Sequence, residues 1–195
     1  MISKKQTPSK KIQKSNVKEL SKKNEYIRSK YNISLTTAPM NKKEFNRSKF
    51  ILIRHGLSNH NIRSLIAATD FGKGTKEYNK VDWDVNGFDP ELHTIGVSQA
   101  QTHQQISNEI DWKIVFTSPM QRAMMTTIEM FKNHPNKQNI RFIVVPIIRE
   151  VLHTINDVCM DVNELVKKYA HGAKAAQGLK FDFSALFTFG VPELW

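Results

Sequence analysis

The sequence contains a single cysteine, Cys159, in 195 residues. One thiol closes no disulfide within the chain and forms no CxxC redox or metal site. No run of about 18 apolar residues occurs, which excludes a transmembrane helix. Met1 to Lys11 lacks the apolar stretch of a secretory signal, so none is expected. Apolar residues are also sparse, at 39% of the chain, but 11 Phe and 3 Trp argue against disorder throughout. Together these features predict one domain of ordinary size with a real core. They point to a reducing, intracellular and cytoplasmic setting.

Acidic residues are scarce in one region only. Residues 1–49 hold three of them against 14 Lys and Arg, whereas residues 50–195 hold 15 acidic and 15 basic residues. The entire net charge of +11 therefore lies in the first quarter. That segment is rich in Lys, Ser and Asn. Its apolar residues Ile12, Val17, Leu20 and Ile27 form no sustained helical stripe, so it reads as a basic, disordered tail. Its lysines suit attraction to the phosphates of a polyanion without base readout. A mitochondrial presequence is a weaker alternative, because two Arg among twelve Lys depart from the Arg-rich habit of such peptides. A nucleic-acid-binding domain would carry its charge on the folded part, which is neutral here.

Residues 50–195 read as the folded domain. Phe50-Ile51-Leu52-Ile53 is a continuous apolar run that predicts a strand buried on both faces. Ile114–Phe116 and Phe142–Val145 predict two more. A helix is expected from Thr94, as N-cap, to about Ile110. Another is expected after Ser118 as N-cap, with Pro119 at its first position. Strand–helix–strand alternation at this spacing indicates an α/β domain with a mostly parallel sheet. Asp70–Glu91 reads as a long irregular loop, and Asp157–Tyr169 as a helix. Phe181–Trp195 is aromatic-rich with no clear period.

The residues that carry chemistry cluster at strand ends, where open α/β sheets bind ligands. The first run leads into Arg54-His55-Gly56, in which Gly56 permits a sharp turn and a close approach to a ligand. The second leads to Ser118 and Arg122 in the opening of a helix. The third is followed by Arg149-Glu150. Arginines grip phosphate oxygens bidentately. A helix N-terminus adds oriented N–H groups. A neutral imidazole nitrogen can attack phosphorus, and a carboxylic acid can protonate the leaving oxygen. Gly72-Lys73-Gly74-Thr75 lacks Walker A spacing and reads as a flexible loop. His60, His93, His103, His134 and His153 do not fall at metal-ligand spacing, so no metal is expected. Cys159 reads as a core residue.

Ile51-Leu52-Ile53-Arg54-His55-Gly56 resembles the signature of the histidine phosphatase superfamily, the phosphoglycerate-mutase-like proteins. Three later segments resemble that family in order: Asp89 to Ala100, Ser118 to Thr127, and Ile148-Arg149-Glu150. The resemblance covers about residues 50–160 and, more loosely, Phe181 to Trp195. It implies a three-layer α/β/α sandwich with a mostly parallel sheet. It implies phosphoryl transfer, as phosphatase or mutase, on a phosphorylated small molecule or phosphoprotein. His55 would be the phosphorylated nucleophile and Glu150 the general acid/base. Arg54, Asn61 and Arg122 would bind the phosphoryl group. No metal or organic cofactor is implied. Leu57 stands where the family usually has Glu or Gln, and His93 where Thr is common. The family's second pocket histidine has only His171 as a candidate, and that residue follows a helical stretch. The fold is therefore expected to be incomplete at the C-terminus. The alternative function is a catalytically degenerate member that binds a phosphate ligand or a protein.

Overall fold

The computed structural model of the chain describes residues 10–35 and 50–188. Residues up to Ser34 form one unit and those from Leu35 onward another. Residues 1–9 and 36–49 of the expected tail, and the adjoining boundary at 49, fall at or beyond the limits of the described residues. So does Phe189–Trp195 of the aromatic-rich stretch.

Within the segment expected to be a disordered tail, Lys10–Lys30 forms helix α1. Lys, Glu, Gln and Leu are strong helix formers, and Glu19 lies one turn before Lys23, the favourable order for such a pair. Arg28 and Lys30 occupy the last turn, where positive charge complements the helix dipole. Asn32 adopts a left-handed conformation, with φ of 49°. The N–H of Ile33 then reaches the Arg28 carbonyl at 2.9 Å and that of Asn32 reaches Ser29 at 3.4 Å, a Schellman closure.

The second unit contains α2 (Asn59–Asp70), α3 (Lys76–Asp82), α4 (Thr94–Thr102), α5 (Gln104–Asn108), β1 (Ile114–Thr117), α6 (Gln121–Phe131), β2 (Arg141–Val144), α7 (Val162–Tyr169), β3 (Phe181–Asp182) and α8 (Ser184–Thr188). The three strands pair in parallel in the order β1-β2-β3, as the alternation predicts. The core gathers Met124, Ile128 and Phe131 of α6, Phe142 and Val144 of β2, Leu165 and Tyr169 of α7, and Leu186 of α8. Edge-on ring contacts run from Trp112 to Phe131 at 5.3 Å and from Phe131 to Phe142 at 5.4 Å. Burial of each such side chain stabilises by about 1.5–3 kcal/mol. Cys159 is buried in the same core.

Several elements differ from expectation. Phe50–Ile53 is not a strand. Phe50 is 87% exposed and Leu52 98%. Its apolar pattern suits a buried strand, but a strand exists only where a neighbour completes the ladder. Among the described residues, β1 pairs with β2 alone. The helix predicted over Thr94–Ile110 is interrupted at His103. There the His103 ring takes the Gln99 carbonyl at 2.8 Å. The backbone N–H of His103 turns instead to Ala100 at 3.2 Å. The N-cap of α4 is His93, whose Nδ1 accepts the Ile95 N–H. The predicted helix over Asp157–Tyr169 starts only at Val162. Asp161 is its cap, accepting the N–H groups of Asn163 and Glu164. The expected loop Asp70–Glu91 contains α3, capped by Thr75. Gly72 and Gly74, with φ of 93° and 80°, turn the chain just before it.

Candidate active site

Arg54-His55-Gly56 is held in place by side chains of two helices. The Gly56 N–H donates to Thr126 Oγ1 of α6 at 3.1 Å. The Leu57 N–H donates to Gln99 Oε1 of α4 at 3.0 Å. The Leu57 carbonyl accepts the His93 N–H at 2.9 Å, and Ser58 pairs with Leu92 in an antiparallel bridge. A Cβ on Gly56 would stand 2.5 Å from the Gly96 carbonyl oxygen. The close approach that Gly56 permits is thus to the first turn of α4.

His55 Nδ1 lies 2.7 Å from the Gly56 carbonyl oxygen. A carbonyl only accepts, so Nδ1 carries the proton in that contact and the lone pair of the neutral ring sits on Nε2. The His55 pKa is lowered, chiefly by burial. The Gly56 contact raises it, Arg122 and Arg54 lower it, and Glu150 raises it. The neutral, nucleophilic form therefore persists below the ordinary histidine range. Phosphate incorporation into His55 as a function of pH is expected to show an acid limb centred below pH about 6.5. A limb centred above that value would contradict this arrangement.

Arg122 lies in the first turn of α6 and is 5% exposed. Its Nη1 donates to the Asn156 carbonyl at 2.8 Å and its Nη2 to Asp157 Oδ1 at 3.1 Å. Glu150 Oε2 is 3.8 Å from the same Nη2, on a side chain that is 61% exposed. His55, Arg122 and Glu150 thus share one electrostatic neighbourhood, with Arg54 exposed on its rim. Asn61 serves a helix cap through its Oδ1. Its Oδ1 accepts the backbone N–H and hydroxyl of Ser58, and Ser58 Oγ accepts the Asn61 N–H, which forms a capping box at the start of α2. His171 is exposed in the turn after α7.

Sequence reasoning missed Asp157 and Asn156, which receive Arg122. The signal was present in Thr154-Ile155-Asn156-Asp157, the spacing of a capping box. It forms one, with Asp157 Oδ2 accepting the Thr154 N–H at 3.1 Å. A second missed pair is His60 and Asp82, with Nε2 3.5 Å from Oδ1. Burial lowers the His60 pKa, while Asp82 and Asp157 raise it. His60, Arg63, Gln121 and Lys168 help line a cleft of about 320 Å³ that His55, Arg54 and Glu150 do not line. The Gly72–Thr75 turn is absent from that lining as well. Among the described residues no group of three or more His, Cys, Asp or Glu is arranged to hold a metal ion. No described helix is long and apolar enough to cross a membrane.

A family model for the histidine phosphatase superfamily (branch 1) matches residues 73–170, about half of the chain. The chain belongs to the histidine phosphatase superfamily, and its helices and small parallel sheet are an α/β, phosphoglycerate-mutase-like fold. Membership brings phosphoryl transfer as the general class of chemistry. The matched span contains Arg122 and Glu150 and begins after Arg54-His55-Gly56. No curated protein matches the chain.

Proposed function

We propose that the domain transfers phosphoryl groups through a phosphohistidine on His55, as a phosphatase or mutase. The observation that carries this reading is the meeting of a neutral imidazole with its proton on Nδ1, a buried guanidinium and an exposed carboxyl. Nε2 attacks phosphorus as the ester oxygen leaves, and Glu150 protonates that oxygen. Glu150 then takes a proton from water, which displaces phosphate from Nε2. Arg122 and Arg54 neutralise charge on the three equatorial oxygens throughout. A phosphorylated small molecule or phosphoprotein is the substrate. The exposed lysines Lys18, Lys22 and Lys23 of α1 add salt-sensitive contact with a polyanion.

The test is p-nitrophenyl phosphate turnover by the full chain and by His55→Ala, with acid-labile, base-stable phosphate measured on the quenched protein. Turnover and label are both expected to fall to background in His55→Ala. Turnover that survives the substitution overturns the assignment. Label on His55 without turnover would favour the alternative, a degenerate domain that holds phosphate without releasing it.

A further inference from the structure

Arg122 is gripped by groups that are themselves fixed. Asp157 Oδ1 receives Nη2, while Asp157 Oδ2 accepts the N–H groups of His153 at 3.3 Å and Thr154 at 3.1 Å and the Thr154 hydroxyl at 3.3 Å. The neighbouring Asn156, whose carbonyl receives Nη1, is tied through Nδ2 to the Asp82 carbonyl at 3.2 Å and to Thr154 Oγ1 at 3.0 Å. Both acceptors are buried. A guanidinium has five N–H donors in one plane. Two contacts from one short turn fix that plane and leave three donors, with Glu150 at 3.8 Å from Nη2. Were Asp157 absent, the charge of Arg122 would have Glu150 as its nearest carboxylate.

We propose that Asp157 is a positioning residue: it holds the guanidinium of Arg122 edge-on toward the phosphoryl group and keeps its 3.8 Å ion pair with Glu150 from closing to a hydrogen bond. The proposal rests on the reading of Arg122 as a phosphate ligand. An opposite role is conceivable on charge alone, because a carboxylate on Arg122 also competes with phosphate. The two roles predict opposite signs. A competitor's removal tightens phosphate binding, whereas a positioning residue's removal weakens it.

Binding of inorganic phosphate to the full chain, followed by ³¹P NMR titration, separates them. Four proteins are compared: the wild type, Asp157→Asn, Thr154→Ala and Arg122→Ala. Asp157→Asn removes the charge and keeps the size. Thr154→Ala removes one donor to Asp157 Oδ2 and the Thr154 acceptor of the Asn156 amide, but leaves the direct Arg122–Asp157 contact. Asp157→Asn is expected to weaken binding about tenfold, since displacement of a positioned group by about 1 Å costs up to about 10²-fold. Thr154→Ala, which keeps the direct Nη2–Oδ1 contact, is expected to weaken binding by clearly less than Asp157→Asn. In turnover the loss in Asp157→Asn should appear in KM more than in kcat. Unchanged or tighter binding by Asp157→Asn overturns the proposal. Equal losses in Asp157→Asn and Thr154→Ala assign the effect to the turn and overturn it too. Phosphate binding that is absent from the wild type, or unchanged in Arg122→Ala, removes the reading of Arg122 itself and the proposal with it. Should Asp157→Asn fail to fold, Asp157→Glu, which shifts the charge by one methylene, is judged by the same outcomes.

Discussion

Gly96→Ala is expected to lower the melting temperature by roughly 6–12 °C and to uncouple His55 from the rest of the site. A Cβ on Gly96 would overlap the Leu57 carbonyl oxygen and stand 2.7 Å from the Leu57 nitrogen. Both are backbone atoms, and no rotamer change moves them aside. Alanine in the first turn of a helix would ordinarily be favoured over glycine by up to about 1 kcal/mol. Forcing atoms into a packed contact costs about 1–3 kcal/mol, and more where backbone must shift. A net loss of about 3 kcal/mol corresponds to the stated change in melting temperature for a chain of this size. The local consequence is larger than the global one. Leu57 is two residues from His55, and its N–H and carbonyl are the loop's links to Gln99 and His93. Displacement by about 1 Å costs up to about 10²-fold in a positioned reaction. Thermal unfolding followed by circular dichroism measures the first effect, and phosphate incorporation into His55 the second. A variant that melts with the wild type and labels at the same rate would refute the glycine contact as the anchor of the motif.

The same contact explains which parts of the fold were legible in the sequence. The glycine of Arg54-His55-Gly56 signals close approach in any reading, but the partner of that approach is 40 residues away in Gly96, and no local pattern pairs them. β1 and β2 were legible because their apolar runs end in recognisable turn chemistry and enclose a helix of suitable length. Phe50–Ile53 has an equally good strand pattern and is left without a ladder. A strand is a property of two segments, and the pattern reports one. Helix starts differ from expectation where an unexpected acceptor supplies the cap. His93 caps α4 through an imidazole, and Asp161 caps α7, four residues after the start expected for that helix. At the site, residue types at the expected strand ends point to His55, Arg122 and Glu150, although the run before His55 forms no strand. Asp157 is a different case. It joins the site by receiving Arg122 from another element, so its role follows from packing and is only hinted at by the Thr154–Asp157 spacing.

Asp89→Ala is expected to destabilise the chain by about 3–5 kcal/mol, because one buried carboxylate does the work of a helix cap and a cross-link. Met120 precedes α6 without a side-chain cap. Asp89 Oδ1 accepts the Gln121 N–H at 2.9 Å from outside the helix, and Oδ2 accepts the Met160 N–H at 2.9 Å. This replaces the Ser118 cap that the sequence predicts; Ser118 Oγ accepts the Met120 N–H at 3.4 Å, and α6 begins at Gln121. Alanine leaves one buried and one half-buried N–H group without acceptors, at about 1–3 kcal/mol each. It also places a residue less tolerant than Asp at φ of 35°. The pH dependence of the carboxylate gives an independent check. Burial raises the Asp89 pKa, against the N–H groups of Met160 and Gln121 and the charge of Arg122, which lower it. A raised folded-state value means that the folded chain holds this proton more tightly. The associated stability is complete below the ordinary Asp value of about 3.9 and is lost as pH rises through the folded-state value. Asp89→Asn removes that titration while keeping one acceptor. Its cost, measured by denaturant unfolding, should therefore be greater at pH 4 than at pH 7. A cost that grows with pH would mean that the ionised carboxylate is the better-stabilised form, and that the N–H groups and Arg122 outweigh burial at this position.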